Sequence, residues 1–126
     1  MFQTLIAEDN PVFRHSLKSV LERRFPRMEI EEAVDGEQAV LQGMARHHDL
    51  IFMDIKMPGR NGLEATRMIK SSDLDAVVCL VTSYDLPEYR EAAGICGADH
   101  FIVKDDSSES VIVDLVESVL ARLASH

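Results

Sequence analysis

A chain of 126 residues with 46% hydrophobic content can build one compact core but not two ordinary ones, so residues 1–126 are expected to form a single domain. Its 22 acidic against 13 basic residues leave a formal charge of −9, which argues against direct nucleic-acid binding by this domain. Cys79 and Cys96 share no CxxC or metal-type spacing, no apolar run reaches the roughly 20 residues of a membrane span, and Gln3, Glu8 and Asp9 stand where a signal peptide needs basic and then apolar residues; a reducing, cytoplasmic setting without membrane contact is expected.

In chain order, QTLIAE (3–8) reads as a first strand. Asn10-Pro11 then prepares a helix over VFRHSLKSVLERRF, with Phe13, Leu17, Val20, Leu21 and Arg24 on one face and Pro26 as its stop. MEIEEAV (28–34) alternates as a strand does, and residues 35–48 follow as a helix with Ala39, Val40, Met44 and Ala45 inward. LIFMD gives the third strand, residues 62–71 the third helix and AVVCLVT (76–82) the fourth strand. A fourth helix over LPEYREAAG starts at Pro87 and ends at Gly94. ADHFIVK (98–104) is the fifth strand, and a last helix begins near Asp106, whose Glu109 partner fits a capping box, with Val111, Leu115, Val116, Val119 and Leu123 facing the core. Five strands alternating with five helices predict a doubly wound (βα)5 sandwich, flavodoxin-like, around a five-stranded parallel sheet of order 2-1-3-4-5.

In such a sheet, ligands bind beyond the carboxyl ends of the strands. Glu8 and Asp9 fall at the end of strand one, Asp54 at the end of strand three, Thr82 of strand four and Lys104 of strand five. Alone, each is an ordinary cap, turn former or surface charge; four strand ends sending polar residues to one rim is a site. Three converging carboxylates repel one another unless a cation sits among them, and oxygen-only ligands suit Mg²⁺. Asp54 can attack phosphorus and carry an acyl phosphate, while Lys104 neutralises phosphoryl oxygens and the Thr82 hydroxyl donates to another.

With LIAED (5–9), LIFMDIKMPGRNGLE (50–64), VTS (81–83) and GADHFIVKD (97–105) in place, the sequence resembles the receiver domains of bacterial two-component response regulators. The resemblance implies that Asp54 is the phosphoacceptor. It makes Asp9 a direct Mg²⁺ ligand, Glu8 a ligand mostly through water, and Lys56 a ligand through its backbone carbonyl. It also makes Thr82 the switch hydroxyl, Phe101 the switch aromatic and Lys104 the lysine on the phosphoryl group. It further implies a phosphohistidine donor on a sensor histidine kinase or phosphotransfer protein, and a readout through the helix 4–strand 5–helix 5 surface, where homodimers commonly form.

Two departures add expectations. Asp105 follows Lys104 where many receivers have proline, a pairing like that of receivers which precede a helix-turn-helix output of the nitrate-regulator or quorum-regulator type. The sequence ends at RLASH, so DNA binding is expected from a C-terminal domain absent here, with a single-domain regulator acting through protein partners as the alternative. Lys56 and Tyr84, two residues beyond Asp54 and Thr82, are large enough to shield an acyl phosphate and lengthen its life. A Mg²⁺-dependent phosphatase is disfavoured because Lys56 stands where a second acid is needed. A binding module independent of phosphorylation is disfavoured because every acid and the lysine remain, and a flavin carrier because EDNPV would repel a cofactor phosphate. His47-His48 reads as a helix-end pair without catalytic role.

Overall fold

The structure is a computed structural model and describes residues 2–125. Five parallel strands, β1 (Gln3–Ala7), β2 (Glu29–Ala33), β3 (Leu50–Asp54), β4 (Val77–Thr82) and β5 (His100–Val103), lie in the order β2-β1-β3-β4-β5. Helices α1 (Pro11–Arg24), α2 (Gly36–Ala45), α3 (Gly62–Ser72), α4 (Pro87–Cys96) and α5 (Glu109–Ala124) cross between them. The expected flavodoxin-like sandwich is the observed one.

Alternation along the strands builds two cores, since successive side chains point to opposite faces. Leu5, Ile51, Met53, Val78 and Leu80 pack with Ala39, Ala65, Ile69 and Ala93 of α2, α3 and α4. Ile6, Leu50, Phe52, Cys79 and Val81 pack on the other face with Leu17 and Leu21 of α1 and Ile112, Val116 and Val119 of α5. Every residue of β3 and β4 is buried, which is why both read as unbroken apolar runs.

Asn10, Asp35, Asn61 and Ser108 each accept a backbone N–H from the first turn of α1, α2, α3 and α5. Leu86, before α4, offers no side-chain bond. Gly94 does not end α4: the helix continues to Cys96, and Gly97 at φ 92 makes the left-handed cap that a side chain would resist. An added Cβ at Gly94 would meet nothing within 4 Å. Its glycine costs helix propensity without serving any close approach.

Other boundaries shift. The cap of α5 is Ser108 rather than Asp106, because Lys104–Asp106 form a 3-10 turn of their own. The helix is therefore rotated from the expected phase: Ile112 and Val113 are buried, while Val111 and Leu123 are exposed. Helix α2 stops at Ala45, leaving Met44 and Ala45 outside the core and Gly43 inside it. His47 and His48 do not cap that helix. His48 is buried with its Nε2 2.6 Å from Glu31, and His47 bridges Asp73 at 2.5 Å and Asp49 at 3.2 Å. Burial opposes protonation of His47, but the bonds and charges of Asp73 and Asp49 outweigh it and raise its pKa.

Candidate functional site

The carboxyl ends of the strands deliver the pocket. Strand β1 stops at Ala7, so Glu8 and Asp9 lie just beyond it. The Glu8 N–H donates to the Ala33 carbonyl, and Arg14 Nη1 donates 2.8 Å to the Glu8 carbonyl. Asp54 is the last residue of β3, Thr82 the last of β4, and Lys104 opens the turn after β5. Register carries them to one rim: Ala7 pairs with Met53, Asp54 with Val81 and Thr82 with Val103.

A cleft at that rim, about 200 Å³ in volume, is lined by Asp9, Asn10, Asp54, Lys56, Thr82, Ser83, Tyr84 and Lys104. Glu8, Asp54 and Thr82 are buried, whereas Asp9 is exposed. Lys104 Nζ sits 2.7 Å from Glu8 Oε1 and 3.6 Å from Asp54 Oδ2. The first contact is an ion pair, and among the described residues buried Oε1 has no hydrogen-bond partner. The Thr82 hydroxyl oxygen accepts the Tyr84 N–H at 3.1 Å. Lys56 Nζ stands 4.5 Å from the centre of the Tyr84 ring at the mouth of the cleft.

Carboxylate oxygens of Glu8, Asp9 and Asp54 lie within 4.8 Å of one another. Burial first, then the hydrogen bond and charge of Glu8, push the Asp54 carboxyl up to about 8 against the pull of Lys104. The donors fit a hard divalent cation: they are oxygens only, they crowd negative charge, and one buried oxygen lacks a donor. This is an acidic cluster of the Mg²⁺-binding kind.

The metal-free fold therefore loses stability as pH rises from the unfolded carboxylate range, roughly 4, to about 8, and the loss is complete above that. Protonated Asp54 is a poor ligand. Mg²⁺ affinity is expected to climb about tenfold per pH unit below that value, the slope for one displaced proton, and to level off above it. Calorimetric titration on both sides checks this; a flat profile contradicts a raised Asp54 carboxyl.

A family model for the response regulator receiver domain matches residues 4–117. The chain belongs to the response regulator receiver family. Chemotaxis protein CheY of Halobacterium salinarum is 38% identical over 118 residues, covering 94% of this chain and 96% of that protein. Transcriptional regulatory protein ResD of Bacillus subtilis is 31% identical over 94% of this chain, which spans only 48% of ResD. Among solved structures, the signal receiver domain of the putative response regulator NarL from Mycobacterium tuberculosis superposes with a TM-score of 0.84 at 28% identity, over 93% of this chain and 94% of that one. The receiver is thus a phosphoryl-accepting signalling domain carrying an acidic cluster that fits Mg²⁺-dependent transfer.

Asp9, Asp54, Thr82 and Lys104 line the receiver's cleft, and Glu8, outside that lining, joins them through Lys104 and the carboxylate cluster. Phe101 lies outside the cleft, half-buried against the α2–α4 core, with the Arg90 guanidinium 4.7 Å from its ring centre. Sequence reasoning missed Arg14, which braces the Glu8 carbonyl while its Nε pairs with Glu32 at 3.2 Å. It also missed Gly62, where a Cβ would lie 2.0 Å from the Asp54 carbonyl oxygen. A glycine directly after the helix-capping Asn61, close behind the acid, was the available signal. Among the described residues no helix is long and apolar enough to cross a membrane.

Proposed function

We propose that Asp54 accepts the phosphoryl group from a phosphohistidine on a sensor histidine kinase or phosphotransfer protein. The observation that carries this is the convergence of three carboxylates and Lys104 around one small open cleft. An Asp54 oxygen attacks phosphorus, the P–N bond breaks with its electron pair going to the imidazole nitrogen, and the leaving imidazole takes a proton from water. Lys104 shifts from its carboxylate partners to a phosphoryl oxygen. The Thr82 hydroxyl, whose oxygen accepts from the Tyr84 amide, donates to another. Asp9, Asp54 and the Lys56 carbonyl would hold Mg²⁺, with Glu8 acting through water; when bound, the ion supplies positive charge to the phosphoryl oxygens and relieves the repulsion among the acids.

Incubation with acetyl phosphate and Mg²⁺, followed by borohydride reduction and peptide mapping, tests the assignment. Label at Asp54 that vanishes with chelator supports it; label elsewhere overturns it.

The signal would leave through α4, β5 and α5, where Leu86 and Val111 are exposed apolar side chains and where Phe101 would act as the switch aromatic. That surface suits a homodimer or an output domain. The chain's half-length match to a transcriptional regulatory protein supports control of a DNA-binding domain in a longer protein, and its nearly full-length match to a chemotaxis protein supports a stand-alone switch of one domain. Donor and readout belong to the cytoplasm in either case.

Lys56 and Tyr84, stacked across the mouth of the cleft, would hinder water from reaching the acyl phosphate. Truncating either to alanine is expected to speed loss of the phosphoryl group several-fold, on the order of what one displaced shielding contact of about 1 kcal/mol gives. Single-turnover decay of the labelled protein measures it, and equal rates in all three proteins would remove the shield from the account.

A further inference from the structure

Two cation–ring contacts bracket the segment between β4 and α4. Lys56 over Tyr84 closes one end, beside the pocket. At the other end Arg90 lies over Phe101 at 4.7 Å, and its Nε donates to Asp85 Oδ1 at 2.7 Å. Arg90 therefore ties the α4 end of the segment to β5. Leu80 pairs with Phe101 and Thr82 with Val103, so Thr82 and Phe101 stand on the same face of the sheet, one diagonal step apart. The helix carrying Arg90 is held lightly: Ala93 is its one buried residue, and its first turn lacks a side-chain cap.

We propose that Arg90 is a positioning residue for the phosphorylation of Asp54: by holding the Phe101 ring against α4, it favours the resting arrangement and raises the cost of completing the phosphoryl pocket. The proposal rests on reading Asp54 as acceptor and Phe101 as switch aromatic. A guanidinium is drawn to the negative face of an aromatic ring. That attraction exists only while the ring presents its face to α4. Any arrangement that carries the ring toward Thr82 gives it up, so the contact stabilises one state and not the other. A ligand that needs the second state binds more weakly by the same factor. Asp85 keeps the guanidinium in place, and the ring is covered on its inner side by the core.

The probe is beryllofluoride with Mg²⁺, a phosphoryl mimic, titrated into the full chain by calorimetry. Arg90→Met keeps the length of the stem and removes the cation; it is expected to tighten binding about two- to fivefold, the factor an exposed cation–ring contact supports. Arg90→Lys keeps a cation and should stay near the unmodified value. In a Phe101→Leu background, which has no ring face, Arg90→Met should change nothing. Unchanged binding in Arg90→Met, or the same gain with and without the ring, overturns the latch. A lowered melting temperature without a change in affinity marks Arg90 as structural only and also overturns it. If the unmodified chain binds no mimic, the acceptor reading fails and the latch with it; normal binding that ignores Arg90→Met sinks the latch alone.

Discussion

Asp54→Asn is expected to abolish labelling by acetyl phosphate and, at the same time, to make the metal-free receiver more stable. The loss follows because the amide oxygen is no nucleophile toward phosphorus. The gain follows from crowding: Asp54 is buried against Glu8, and together these push its carboxyl up to about 8. A neutral side chain of the same shape spares the fold the cost of holding that buried carboxyl protonated or crowded against Glu8. It should stabilise the fold at neutral pH by about 1–3 kcal/mol, the range in which functional sites commonly sit below their stability optimum. Urea denaturation with chelator present reads the gain, which Mg²⁺ should narrow because the native trio is then neutralised. An Asp54→Asn protein that still labels, or that is less stable than the parent without metal, would contradict the site as described.

Gly62→Ala carries the largest expected cost. The new Cβ would stand 2.0 Å from the Asp54 carbonyl oxygen and 3.0 Å from the Ile55 Cα, both backbone atoms. Neither can swing aside as a side chain does. The Gly62 N–H also donates to the Ile55 carbonyl at 2.8 Å, pinning the start of α3 behind the acceptor strand. Separation of α3 from β3 should cost about 3 kcal/mol or more, the scale of core overpacking. It should also weaken Mg²⁺ binding, because the strand end that carries Asp54 is what moves. Equilibrium unfolding and metal titration of the same variant measure both effects. A fold of undiminished stability would mean that α3 has slack that the contact distances deny.

Much of this was legible from residues alone, for identifiable reasons. LIFMD and VVCLVT are buried on both sheet faces, so their unbroken apolar runs have no competing helical reading. The strand-end residues could be placed together because a doubly wound sheet sends every strand's carboxyl end to the same rim. Helix α5 was harder. Its VIVDLVESVLARL carries apolar residues nearly all round, so two helical faces fit equally well. Asp106 and Ser108 are both capping types, and only the Lys104–Asp106 turn, closed by the Ser107 hydroxyl donating to the Lys104 carbonyl at 2.6 Å, chooses between them. Met44 was misplaced because α2 buries Gly43 against Ile69 of α3, a close approach with no trace in the local periodicity. The ring contacts of Lys56 and Arg90 join residues from separate elements, and no spacing rule reaches across that gap.

The uncapped start and open glycine of α4 have a consequence for how the molecule breathes. Amide hydrogens of Glu91 to Cys96 should trade with deuterium well before those of α1, α3 and α5, whose first turns are each fastened by a side-chain acceptor. Of these four helices, the one in the proposed readout surface would then be the first to open and the last to lock.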